Sequence, residues 1–177
     1  MKIERERVRE TFREYTDAYD ATDEKIKLKI DHTYRVAELC ERIAKAERME
    51  KTEVDLAWLL GMLHDVGRFE QLRRYGTFSD ADSIDHAALG TDILFGGPLS
   101  AGKGLIRTYV DDAAEDEVIE TAIRVHSAYR IPEGLVPRME KLCHILRDAD
   151  KIDILRVNVD VPLEEIYNTT TEELRNA

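Results

Sequence analysis

The chain has 177 residues, enough for one domain with a sizeable core. Hydrophobic residues make up 43% and charged residues 36%, a balance typical of a soluble globular protein. The formal net charge of −11 argues against general binding to nucleic acid or to anionic membranes. Small anionic substrates are not excluded, because a metal site can supply local positive charge.

The two cysteines, Cys40 and Cys143, are isolated and lie among apolar residues. This pattern is typical of reduced core thiols in a cytosolic protein. The N-terminus has no signal-peptide apolar region, and no apolar run is long enough to span a membrane. We therefore expect a cytoplasmic protein. The chain stops at Ala177 soon after residues 171–174 offer a helix start, which allows a natural protein that continues further.

Apolar spacing in the sequence predicts helices along most of the chain. In chain order they cover residues 3–19, 31–47, 52–66, 84–95, 115–129 and 138–154. Residues 69–83 are expected to form a polar connection and residues 96–104 a glycine-rich loop. No segment shows the convincing alternation of apolar and polar residues that is typical of a strand, apart from a weak stretch at residues 157–161. The sequence predicts one all-α domain over residues 1–177, a helical bundle with its core at about 31–154.

The central predicted helix ends in the doublet His64-Asp65, at helical spacing with apolar residues before it. The pair is therefore expected to point into the core, where an unpaired carboxylate is costly. A buried aspartate needs a cation, and a neighbouring imidazole suggests a metal ion. Taken alone, the doublet is better explained as a hydrogen-bonded pair in the core.

Further histidines and a second aspartate change this interpretation. Six polar residues lie on the apolar stripes of five predicted helices: His32, His64, Asp65, His86, His126 and Asp150. A core of this size has little room for six unconnected buried polar side chains, since each would need its own partners. Their convergence on one ion cluster would satisfy all of them together. His144 does not align with the stripe of its helix and is left out.

The donor set restricts the metal. It contains no thiolate, which disfavours a structural zinc site, and imidazole with carboxylate suits several transition metals. Six protein ligands are too many for one catalytic ion that keeps open positions. The sequence therefore predicts two divalent or mixed-valent transition-metal ions bridged by a carboxylate, with iron or manganese favoured.

Here the sequence resembles a known family. His32, the His64-Asp65 doublet and Asp150 follow the H…HD…D pattern of the HD-domain metal-dependent phosphohydrolases. With His86 and His126 added, the chain is similar to the six-ligand H…HD…H…H…D subgroup, which holds two metals. The resemblance implies that His32, His64, Asp65 and Asp150 hold one ion. It implies that His86 and His126 hold the other, with Asp65 bridging both. No GYP motif follows the doublet, so hydrolysis of cyclic dinucleotides is not supported.

Basic residues near the doublet are candidates for contact with substrate. Arg68 lies one turn beyond it, where a guanidinium could meet a phosphate; the alternatives are an arginine in water or one paired with Glu70. Lys151 follows Asp150 and corresponds to a family motif lysine, the alternative being a salt bridge to a neighbouring aspartate.

Other charged residues have two interpretations as well. Arg73, Arg74 and Lys103 could overhang the site, but each alone is better explained as a solvated surface charge. Asp85 is either a carboxylate that orients His86 or a charge at the start of a helix.

The expected function is metal-dependent hydrolysis of a small phosphorylated molecule, with a nucleotide as the leading guess from the resemblance. A metal-activated hydroxide would attack phosphorus, and Asp65, Arg68 and Lys151 would act at the reacting centre. Two alternatives stay open: a mixed-valent di-iron oxygenase with the same six ligands, and a metal-stabilised sensor domain without turnover. The sequence does not predict an oligomeric state.

Overall fold

A computed structural model of the chain describes residues 1–100 and 102–160, with side chains described as far as residue 156. Every regular element in these residues is helical, which confirms the predicted all-α fold. In chain order the helices are α1 (Arg5–Thr16), α2 (Glu24–Ala46), α3 (Lys51–Leu63), α4 (Val66–Tyr75), α5 (His86–Phe95), α6 (Ile106–Tyr109), α7 (Asp116–Val125) and α8 (Pro137–Asp160). None of the described helices is long and apolar enough to cross a membrane.

Helix α3 is the centre of the core. Residues 56–63 are all buried, as expected for a helix with neighbours on every side. Helix α2 packs along it, and the two backbones lie very close together at Gly61 and Ala37. A Cβ atom on Gly61 would lie 2.5 Å from the Cα atom of Ala37, so a larger residue would push the helices apart. This close packing brings His32 of α2 next to His64 at the end of α3.

A second close approach joins α4 to α5. A Cβ atom on Gly67 would lie 2.1 Å from the carbonyl oxygen of His86 and 2.7 Å from the backbone nitrogen of Gly90. Only the absence of a side chain at Gly67 lets the start of α5 lie directly against the start of α4. As a result His86 sits beside the doublet, although about twenty residues of chain separate them.

The sequence prediction was wrong about the segment around the doublet. Helix α3 ends at Leu63, and Asp65, with φ −107° and ψ 17°, interrupts the helical backbone before α4 begins. The predicted polar connection at residues 69–83 is helical over its first half. Phe69 and Leu72 form the buried stripe of α4, and Glu70 pairs with arginines one turn further on. The many charges on the outer face hide this stripe in the sequence.

The other predicted helices exist, with shifted ends. Helix α2 begins at Glu24, not at residue 31, because the Asp23 side chain accepts a hydrogen bond from the backbone of Lys25 and caps it. Helix α8 continues to Asp160 and so includes most of the weak alternation at residues 157–161. The short α6 was not predicted. The helix start at residues 171–174 and the end at Ala177 lie outside the described residues.

Candidate metal centre

The six predicted ligands come from five places in the fold. His32 lies in α2, the doublet in the break between α3 and α4, His86 at the first residue of α5, His126 directly after α7, and Asp150 in α8. All six are buried, with at most 4% of their surface exposed. His144, which the sequence excluded, is exposed on α8. The structure therefore brings together the six residues that the sequence selected.

One group of donor atoms lies between α2, α3 and α8. His32 Nε2 is 3.2 Å from Asp150 Oδ1 and 3.3 Å from His64 Nε2. Asp65 Oδ2 closes the group, at 3.6 Å from His32 Nε2 and 3.5 Å from His64 Nε2. The donor atoms of His32, His64 and Asp150 all lie within 4.8 Å of one another, a spacing that could hold a metal ion.

A second group lies between α5 and the end of α7. His86 Nε2 is 3.1 Å from His126 Nε2. The other carboxylate oxygen of the doublet, Asp65 Oδ1, is 3.5 Å from His86 Nε2 and 3.7 Å from His126 Nε2. Asp65 thus turns one oxygen toward each pair of histidines, which is the arrangement of a carboxylate between two sites.

The outer nitrogen of each imidazole is already hydrogen-bonded. His64 Nδ1 donates to the carbonyl oxygen of Gly61 at 2.8 Å, and His126 Nδ1 donates to that of Ile123 at 2.6 Å. His32 and His86 donate through Nδ1 to carboxylates. Carbonyl and carboxylate oxygens only accept hydrogen bonds, so the ring protons belong on the outer nitrogens. In the neutral rings, each inner Nε2 then carries a lone pair directed into the centre.

This arrangement fits a bound cation. Neutral imidazoles cannot hydrogen-bond to each other through two lone pairs, yet the Nε2 atoms of His32 and His64 face each other at 3.3 Å. Burial lowers the pKa of His86 to about 4, although the hydrogen bond to Asp80 acts in the opposite direction. The ring is therefore neutral at pH 7. Converging lone pairs and carboxylates repel one another, and positive charge among them removes the repulsion.

Two aspartates that were not selected from the sequence support the ligand histidines. Asp153 Oδ2 lies 2.7 Å from His32 Nδ1, and its other oxygen accepts from Arg35 at 2.8 Å. Asp80 Oδ2 lies 2.6 Å from His86 Nδ1. Asp153 follows Asp150 by three residues on one helix, so helical spacing could have indicated that both lie on the same face. Asp80 lies in a connection without periodicity, so no pattern in the sequence indicated its role.

Of the two roles predicted for Asp85, the structure shows the one at the start of a helix. Its Oδ1 accepts hydrogen bonds from the backbone nitrogens of Ala87 and Ala88, at 2.8 and 3.0 Å, and so caps α5. Asp80 orients His86 instead. For Asp80, burial raises the pKa, but the hydrogen bond from His86 and the charge of Arg68 outweigh this and lower it to about 2. The Asp80 carboxylate is therefore ionised at neutral pH.

Arg68 lies at the centre, held by several acceptors. Its Nη1 donates to Asp80 Oδ1 at 2.8 Å and to the carbonyl oxygen of Phe78 at 2.6 Å. Its Nε is 3.8 Å from Asp65 Oδ1 and has no hydrogen-bond partner in the described part of the chain. Arg68 therefore neither extends into water nor pairs with Glu70, and its Nε stays without a hydrogen-bond partner near the carboxylate of Asp65.

Lys151 is at the edge of the same centre. Its Nζ lies 3.6 Å from Asp150 Oδ2, and 54% of its side chain is exposed. The ammonium group is thus next to a predicted ligand but open to solvent. Neither Asp148 nor Asp153 is its ion-pair partner in the described residues.

Lys29 is a cation of the centre that sequence reasoning missed. Its Nζ lies 2.7 Å from Asp65 Oδ2, and only 15% of its side chain is exposed. Burial raises the pKa of Asp65, but the charge of Lys29, together with the contacts from His64 and His126, outweighs it, and the pKa falls well below its usual range. Lys29 precedes His32 by three residues, so helical spacing could have indicated it.

Neither cysteine is suited to act as a nucleophile or as a metal ligand. Cys40 and Cys143 are buried free thiols. Burial raises the pKa of Cys143 to about 11 and that of Cys40 further, so neither is a thiolate at neutral pH.

Comparison with known proteins identifies the family. The family model described as HD domain matches residues 30–155, which is more than half of the chain. No curated protein and no solved structure matches the chain. The matched residues include all six predicted ligands, helices α3 to α7 and most of α2 and α8. The chain therefore belongs to the HD-domain family, a superfamily of metal-dependent phosphohydrolases.

Proposed function

We propose that this protein is a phosphohydrolase with a two-metal centre, and that it acts on a small phosphorylated molecule. The observation that carries the proposal is the division of Asp65 between two donor groups. Its Oδ2 faces His32 and His64, and its Oδ1 faces His86 and His126. A carboxylate with one oxygen toward each site is how two adjacent cations are commonly bridged.

The ligand assignment follows from these two groups. His32, His64, Asp65 and Asp150 would hold one cation. His86, His126 and Asp65 would hold the other, with fewer protein ligands and so more positions for water or substrate. Nitrogen and oxygen donors without thiolate favour iron or manganese.

The chain's own cations would handle the charge of the substrate. When bound, the two metals would polarise the phosphoryl group and lower the pKa of a water molecule. The Nε of Arg68, which has no hydrogen-bond partner among the described residues, lies 3.8 Å from Asp65 Oδ1 and would meet a phosphoryl oxygen there. Lys151, half exposed at the edge of the centre, would attract the anion as it enters. A nucleotide is the leading substrate class, on the basis of the family resemblance.

Metal analysis and a substrate panel test this proposal. We expect close to two iron or manganese ions per chain purified without chelator, and phosphate release from a nucleotide or another phosphoester under anaerobic conditions. His86→Ala is expected to retain one ion and Asp65→Ala to lose activity completely. A content of one ion that added metal does not raise would contradict the two-metal centre. Turnover that requires dioxygen, without anaerobic phosphate release, would favour the oxygenase instead.

A further inference from the structure

A basic cavity lies between the end of α1, the end of α4 and the segment that follows α5. Its volume is about 240 Å³, and none of the six predicted metal ligands lines it. The charged side chains on its walls are Arg73, Arg74, Lys103 and Glu70. Arg73 follows Asp65 by eight residues along α4, which corresponds to about 12 Å of helix. The cavity is therefore separate from the metal centre.

The charge of this cavity is opposite to that of the chain as a whole. Three cations face one carboxylate, so two positive charges remain in excess on a protein with a net charge of −11. Glu70 accepts hydrogen bonds from Arg73 at 2.8 Å and is also paired with Arg74. Lys103 forms no ion pair with any described residue. Such a local excess of positive charge attracts small anions.

The two guanidinium groups are held in place before any ligand arrives. Arg74 Nη1 donates to the carbonyl oxygen of Leu99 at 3.0 Å, which links the end of α4 to the segment after α5. The Glu70 carboxylate fixes both guanidinium groups, since it is only 8% exposed and lies beneath them. Donors that are already ordered lose little conformational entropy when they bind.

The rest of the wall is aromatic and aliphatic. Tyr19 donates to the hydroxyl of Tyr15 at 3.0 Å, and Tyr15 donates to the carbonyl oxygen of Val66 at 2.8 Å. Both hydroxyls are thereby occupied, and the rings are held edge to face. Ile93 and Leu105 add apolar surface. The cavity thus combines a basic side with a rigid apolar side.

We propose that this cavity binds a small phosphorylated compound at a site distinct from the metal centre. Two guanidinium groups and an ammonium group suit the oxygens of a phosphoryl group. The wall of Tyr19, Ile93 and Leu105 would contact the organic part of the ligand. This proposal does not depend on the metal centre being catalytic.

Titration calorimetry with the full chain as purified tests the site, with inorganic phosphate and AMP as probes. Lys103→Ala is expected to weaken binding at the cavity about 10-fold, as for the loss of one charge-assisted contact. The double variant Lys103→Ala/Arg73→Gln is expected to weaken it about 100-fold. Arg73→Gln keeps a donor for Glu70, and Lys103 is exposed, so the double variant is expected to fold. Tighter binding of AMP than of phosphate would show that the apolar wall contributes, and equal affinities would assign the site to the phosphoryl group alone.

Two controls separate this site from its alternatives. Lys141→Ala removes the same charge from α8, outside the cavity, and is expected to leave both affinities unchanged. Asp65→Asn disables the predicted metal centre and is expected to retain binding at the cavity. The proposal is overturned if the double variant binds both probes within about twofold of the unmodified chain. It is also overturned if Lys141→Ala weakens binding equally, or if Asp65→Asn abolishes all binding.

Discussion

The carboxylate of Asp80 lies 2.6 Å from Nδ1 of His86, on the side of the imidazole that faces away from the metal centre. Asp80 itself is held by Arg68 and Gln71, at 2.8 Å each. This chain of contacts fixes the ring plane of His86 and keeps the proton on its outer nitrogen. His86 can then present a lone pair to the centre, which is what a metal ligand requires.

Asp80→Ala is expected to lower the affinity for the second metal ion roughly 10- to 100-fold, the effect of losing a partner that orients a ligand histidine. Asp23→Ala is the matched control, because Asp23 is likewise a single aspartate, it caps the start of α2, and it lies nine residues before His32. It should cost about 1 kcal/mol of stability and leave metal affinity unchanged. Calorimetric titration with metal measures the metal affinity of both variants, and thermal unfolding measures their stability. Equal metal affinities in the two variants would contradict the role of Asp80.

Arg68→Ala is expected to raise KM for the best phosphorylated substrate by about 10- to 150-fold, the effect of one charge-assisted contact. Because Arg68 also holds Asp80, the assay needs saturating metal, so that a loss of metal is not mistaken for a loss of substrate binding. Arg13→Ala, a change on the exposed face of α1, is the control and should leave KM unchanged. An unchanged KM for Arg68→Ala at saturating metal would remove Arg68 from substrate binding.

Gly67→Ala is expected to destabilise the fold by about 3 kcal/mol, because the new Cβ atom would lie 2.1 Å from the His86 carbonyl oxygen. The two helices must separate, which also moves His86 away from Asp65. Gly102→Ala is the control, since nothing lies within 4 Å of its added Cβ atom. Its effect should stay within about 0.5 kcal/mol. Denaturant unfolding compares them, and equal free energies of unfolding would show that α4 and α5 are not in contact at Gly67.

Stability is expected to fall between about pH 4.5 and pH 2 because of Glu41. Hydrogen bonds from Arg5 and Lys45, which outweigh the effect of burial, lower the pKa of Glu41 to about 2. Below the unfolded pKa of 4.5 the unfolded state takes up a proton before the folded state does, so acid favours unfolding. The group is partly solvated, so the contribution is on the order of 1 kcal/mol. In Glu41→Gln, the free energy of unfolding should depend less on pH in this range. Identical pH profiles would exclude the effect.

Local sequence determined the helices and the identity of the buried polar residues. Apolar spacing of three and four residues marks an inward face whatever the partner is, so this spacing alone selects His32, His64, Asp65, His86, His126 and Asp150. The same rule missed α4, because its buried stripe is short and lies among charges that pair along the helix. It also missed Asp80, since a connection has no periodicity to interpret.

Tertiary structure alone decided how these residues meet. The division of Asp65 between two histidine pairs depends on the break at the doublet and on the close packing of α4 against α5 at Gly67. The basic cavity likewise forms from residues of α1, α4 and the segment after α5. In the sequence, each of its charged residues resembles an ordinary solvated surface charge. Helical periodicity reports which side of a helix is buried. It carries no information on which other buried side chains will lie across from it, because that depends on packing between segments far apart in the chain.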